Sequence, residues 1–118
     1  MAVGGFLLTV PQAALTASGV AGTFHVRAMT TLAIDVSVTA ASGVTPTLDV
    51  YVERLGNDNV WYTVSHPAQI TAVGAMSLNI GPGCTVGAVL TDQVRLRWLV
   101  AGTTPSFTVS ASVYGRTS

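Results

Sequence analysis

Few side chains in this sequence could make or break bonds. The carboxylates are Asp35, Asp49, Glu53, Asp58 and Asp92, the imidazoles His25 and His66, and the thiol Cys84. Two carboxylates on one strand face can hold a metal or share acid and base duty. The competing reading is cross-strand pairing of Asp35, Asp49 and Glu53 with Arg95, Arg97 or Arg27 on a solvent face. Ser65, His66 and Asp92 have the residue types of a hydrolytic triad. Adjacent residues of a strand point to opposite faces, however, so Ser65 and His66 make a poor nucleophile–base pair. No Gly-x-Ser-x-Gly elbow is present. Two unrelated histidines and one cysteine lack the paired ligand spacing of a zinc site. Gly81-Pro82-Gly83-Cys84 has neither the lysine nor the following helix of a phosphate cradle. The expectation is a protein with no enzyme activity, no metal and no cofactor.

Residues suited to contact are better represented. Tyr51 and Trp61 lie in alternating segments and are expected to face outward, where they can stack on a sugar or anchor an interface. A purely local role, covering a neighbouring strand, fits them equally. The same alternation groups Tyr62 with Val60 and Val64 on the inner face. Arg54, Arg95 and Arg97 are candidates for ion pairs with a partner, or for internal pairing with the acidic face. Phe6, Leu7 and Leu8 lie in residues 1–12, which read as either an N-terminal arm or the first strand of the domain at 13–118.

The elements that hold these residues are strands. Leu32, Ile34, Val36 and Val38 alternate with polar or small residues, as do Leu48, Val50 and Val52. Val94, Leu96 and Trp98, then Phe107, Val109, Ala111 and Val113, repeat the pattern. Period-two alternation marks half-buried antiparallel strands. Shorter candidates are Phe6–Val10, Thr23–Ala28, Val60–Val64 and Met76–Ile80, with Trp98 and Phe107 as core anchors. Gln12–Ala17 fits a helical turn or an extended segment. Gly56-Asn57-Asp58-Asn59 reads as a hairpin tip. Gly43-Val44-Thr45-Pro46 and Gly102-Thr103-Thr104-Pro105 are near-copies, and proline suits the start of a strand rather than its middle. The fold class is therefore all-β: an antiparallel β-sandwich or jelly-roll-like domain of seven to eight strands.

Composition narrows function further. The chain has 118 residues, 49% hydrophobic and 8% charged, with zero net charge and no lysine. Nucleic acid is an unfavourable partner, because phosphate neutralisation needs a basic excess. So low a charge density on one domain implies surface covered by other subunits. A single cysteine excludes an internal disulfide. Residues 1–10 lack the basic start and the cleavage site of a secretory signal, and no apolar run is long enough to span a bilayer. The expected compartment is a cytosol.

One long run, Thr30 to Val50, carries a turn Ala41-Ser42-Gly43-Val44-Thr45 followed by Pro46-Thr47-Leu48-Asp49-Val50. Together with Val60-Trp61-Tyr62, Arg97-Trp98, and Gly102-Thr103 through Pro105-Ser106-Phe107-Thr108, it resembles a small protein family widespread in tailed bacteriophages. That resemblance implies a virion structural protein, built in the host cytoplasm and placed in the virion. A capsid decoration or minor capsid protein is the reading it favours, a homo-oligomer, with a trimer favoured, seated on the major capsid protein. A tail or neck component is the alternative, followed by a receptor- or glycan-binding module. The Gly81–Thr91 loop and the N-terminus carry no clear family pattern.

Overall fold

The computed structural model describes residues 4–26, 29–84, 86–87 and 91–117. Arg27, the end of the Thr23–Ala28 segment, and parts of the N-terminus and of the Gly81–Thr91 loop lie outside the described residues. Six strands account for the fold: β1 (Gly4–Leu15), β2 (Gly19–His25), β3 (Thr31–Leu55), β4 (Trp61–Ser65), β5 (Gly74–Ile80) and β6 (Gln93–Arg116). All ladders between them are antiparallel.

Strands β3 and β6 span 25 and 24 residues and pair with each other along most of their length. Each serves two four-stranded layers. In the first layer, β1 flanks the second half of β6, and β5 flanks the first half of β3. In the second, β2 flanks the first half of β6, and β4 the second half of β3. Four of the expected segments are thus fused into two strands, and six elements supply eight strand segments. The inward faces meet in one apolar cluster. Leu32, Ile34 and Val36 from β3 and Phe107, Val109 and Val113 from β6 line the first layer, and Leu48, Val50, Val52, Leu96 and Trp98 the second. Burial of such side chains contributes roughly 1.5–3 kcal/mol each before entropy is set against it.

The twin Gly-x-Thr-Pro segments sit where both long strands cross from one layer to the other. They are not strand starts, as the sequence suggested, but bends inside continuous strands. Register slips there, between Ser42 and Val44 and between Val44 and Thr47. The two bends are reciprocal. Gly43 has φ 114° and Gly102 φ 118°, while Thr45 and Thr104 have φ 46° and 45°. Each threonine hydroxyl donates to the preceding carbonyl at 2.8 Å. A Cβ on Gly43 would stand 2.7 Å from the Thr104 carbonyl oxygen, and one on Gly102 would stand 2.8 Å from that of Thr45. Proline is tolerated in mid-strand because the ladder is already broken at the bend.

The order of elements repeats as well: β1, β2 and β3 occupy positions matched by β4, β5 and β6. Gln12–Ala17 is no helical turn, since β1 runs extended to Leu15. Pro11 falls in a register shift of that strand, between Val10 and Ala13.

Gly43→Ala and Gly102→Ala are each expected to lower stability by at least about 2 kcal/mol, because a side chain there meets a backbone carbonyl at a φ that only glycine accepts easily. Thermal melts by circular dichroism should show a fall of roughly 8–16 °C. Gly19→Ala, whose Cβ meets nothing within 4 Å, is the control, and it should stay within about 0.5 kcal/mol of the parent.

Candidate functional site

The outer face of the second layer gathers most of the chemistry-bearing residues. Across β3 and β6, Glu53 stands opposite Arg95 and Tyr51 opposite Arg97. Across β3 and β4, Glu53 stands opposite Thr63 and Leu55 opposite Trp61. Alternation sends Val50, Val52, Leu96 and Trp98 inward, so these neighbours project outward.

Their side chains form a continuous line. Glu53 Oε1 accepts from Arg95 Nε at 2.8 Å and lies 3.1 Å from Arg97 Nε. The Arg95 guanidinium lies 4.4 Å from the Trp61 ring centroid, and that of Arg97 lies 4.2 Å from the Tyr51 centroid. Tyr51 also stacks on His66, with centroids 4.1 Å apart and planes 16° apart. Two groups this close to one centroid must take opposite faces of the ring. His66 Nε2 lies 3.0 Å from Asp49 Oδ1, and Gln69 Nε2 donates to Asp49 Oδ2 at 3.0 Å. A carboxylate oxygen can only accept, so the imidazole proton in this contact sits on Nε2.

Glu53 and Asp49 are 5% and 7% exposed, although both stand on an outward face. The sequence reading had placed them in solvent. It was the long arginine, tyrosine and histidine side chains lying over them that removed the water. A buried carboxylate is tolerable only when paired and hydrogen-bonded, and both are. Among the described residues no buried side-chain polar atom lacks a partner. Asp35, by contrast, remains exposed and accepts from Ser77 Oγ at 2.8 Å, not from an arginine.

Trp61 is on the outer face, as alternation required, and half-buried beneath Arg95. Tyr62 corrects the expectation of an inward residue: it is 45% exposed. Val60 is exposed too, at the hairpin tip. There the Tyr62 hydroxyl donates to Asp58 Oδ2 at 2.6 Å, and the Val60 amide donates to Asp58 Oδ1 at 3.1 Å. The phenol contact holds the Asp58 carboxyl below its ordinary range and raises the Tyr62 phenol, each mainly through that hydrogen bond. Arg54 lies across from Tyr62 and Val94, away from the Glu53 line. Phe6 belongs to the first layer, edge-on to Tyr114 at 5.2 Å, while Leu7 and Leu8 pack on the core.

Ser65, His66 and Asp92 are not brought together. His66 is committed to Asp49, and Asp92 faces His25 Nδ1 at 3.4 Å. Among the described residues no three His, Cys, Asp or Glu side chains are grouped to hold a metal ion. Cys84 is half-buried in its loop. Sequence reasoning missed His66, Asp49 and Gln69 as parts of one surface. Their meeting depends on Ile70 returning to β3, where it exchanges both backbone hydrogen bonds with Leu48 at 2.8 and 2.9 Å. No spacing rule announces that return. What results is a rigid, charge-compensated surface of Trp, Tyr, Arg and His, flanked by exposed Val20 and Leu99. Trp, Tyr and Arg are the residue types most enriched at the hot spots of protein interfaces.

Glu53→Ala strands two arginines over a lost counter-charge and should cost about 2–3 kcal/mol in urea unfolding, since both guanidinium groups keep some solvent. Asp58→Asn should bring the Tyr62 phenol back toward its ordinary value. Ultraviolet titration reads this as a tyrosine transition moved to lower pH.

No protein-family model matches the sequence, and no curated protein sequence matches it. Solved structures do match in fold. A chain of the T13 infectious bursal disease virus particle superposes with TM-score 0.58 at 11% identity, over 97% of this chain and 31% of that one. The VP2 subviral particle of the same virus gives TM-score 0.57 at 15% identity, over 98% and 32%. The SPBc2 prophage-derived protein YomS gives TM-score 0.54 at 12% identity, over 97% of this chain and 95% of that one. The chain spans about a third of the length of the viral chains it matches. Its fold is one found in a virus-particle protein and in a prophage protein.

Proposed function

We propose that this protein is a structural component of a virus particle, a capsid decoration or minor capsid protein that seats on the outer lattice of a phage head and stabilises it. The observation that carries the reading is the shared fold: nearly the whole chain superposes on chains of a viral particle and on nearly the whole of a prophage-derived protein. The outer face of the second layer supports it. Trp61, Tyr51, Arg95 and Arg97 are held in fixed positions before any partner arrives, which lowers the entropy lost on docking. The carboxylates beneath them are already neutralised, so docking leaves no buried charge unpaired. The mechanism is cementing: the domain bridges adjacent major-capsid subunits and adds buried contact area against internal pressure. The reading is non-catalytic.

Mass spectrometry of purified heads and of separated tails tests it, with the chain expected in heads. Finding it in tails alone moves the assignment to a tail or neck component. The recombinant chain should co-sediment with expanded heads. Tyr51→Ala with Arg97→Ala should weaken that binding at least about tenfold, with the strand signal in circular dichroism retained. Glycan binding lost on Trp61→Ala, with no binding to heads or tails, would overturn the proposal.

A further inference from the structure

We propose that the outer edge of β5 pairs with β5 of a second copy of this chain, antiparallel about a two-fold axis at Met76. The backbone of β5 shows which groups face outward. The Asn79 carbonyl accepts from the Val86 amide at 3.4 Å, and the Gly81 amide donates to the Val86 carbonyl at 2.9 Å. Val86 lies beyond β5 on the side away from β3, so Asn79 directs its backbone groups outward. Strand alternation then sends those of Ser77 and Ala75 the same way. Among the described residues those outward groups have no partner. Val86 closes the edge at Asn79–Gly81 and leaves Gly74–Leu78 open.

This edge lacks the protections carried by the others. β1 contains Pro11 and two register shifts. β2 has a shift between Val20 and Gly22, and β4 is five residues long with a shift beside it. The ladder of β5 on β3 runs from Val38–Gly74 to Leu32–Ile80 without a shift. Its sequence, Gly-Ala-Met-Ser-Leu-Asn-Ile, has no charge and no proline. An uncharged, regular edge is a template for another strand.

Self-complementarity selects a second copy as the occupant. A two-fold at Met76 sets Ala75 against Ser77 of the other copy, and the reverse, so each pair exchanges two N–H···O bonds. Met76, half-buried on the core side, meets its own counterpart across the axis at the closer, non-hydrogen-bonded spacing. This register also keeps Val86 of each copy clear of the seam. No like charges oppose: Asp35, one strand in from the edge and bonded to Ser77, would lie roughly 15 Å from its counterpart, beyond the screening length. A strand bearing charges would gain no ion pair there. The elementary unit is then a dimer with a continuous eight-stranded outer sheet, not the trimer that the family resemblance implied.

The test uses the full chain carrying Cys84→Ser. Reduced Ala75→Cys and Ser77→Cys variants are oxidised each alone and as a mixture of the two. The mixture should cross-link, and each variant alone should not. In sedimentation the parent chain should dimerise, and Ala75→Lys should raise the dimer Kd at least about tenfold with circular dichroism unchanged. A monomer up to about 0.2 mM, an oligomer indifferent to Ala75→Lys, or equal self-cross-linking of both cysteine variants would each overturn the proposal.

Discussion

Two backbones pass within touching distance at the bend shared by β3 and β6, and the fold is organised around that contact. Gly43 lies against the carbonyls of Thr103 and Thr104, and Gly102 lies against those of Val44 and Thr45. The approach is possible only without a Cβ on either side. It lets the paired ribbon of β3 and β6 leave one layer and join the next, so the two layers face each other and close one core. Two threonines in the left-handed region are held there by the surrounding ladders. Strain of this kind persists only where the rest of the structure over-determines it.

The outer face of the second layer follows from the same registration. Because β3 and β6 stay in step past the bend, Glu53 meets Arg95 and Tyr51 meets Arg97. With few charges in the chain, four of them are spent on one surface: Asp49, Glu53, Arg95 and Arg97. They are arranged so that each negative group has its donors before any partner binds. Such a surface is stiff and nearly neutral.

Much of the β framework was legible in the residues. Alternation picked out the inward positions of both long strands, and Trp98 and Phe107 proved to be buried anchors at 3% and 0% exposure. The likeness of the two Gly-x-Thr-Pro segments was visible too. Their role was not, because proline at a broken ladder and proline at a strand start look the same in sequence. The Glu53 pairings with Arg95 and Arg97 were foreseen as one choice among several. The burial of Glu53 was not, since alternation tells which face a residue takes and not what lies across it. Tyr62 failed for a related reason: period two gives the inner side but not whether the opposing layer reaches that far. The His66–Asp49 contact was out of reach, because it needs the 66–70 segment to fold back over β3.

The repeated order of elements bears on how the molecule comes to exist. Every ladder joins a strand from the first half, β1 to β3, to one from the second, β4 to β6. Inside either half, the single Ile80–Val86 bridge is the sole backbone pairing outside the turns among the described residues. The halves are entwined rather than stacked. A nascent chain therefore has no sheet to form until β4 has left the ribosome, and β1 and β2 have no pairing strand until β6 follows. Such strongly non-local pairing makes for slow folding. Until β6 arrives, β1, β2 and the β6-facing edge of β3 wait uncovered.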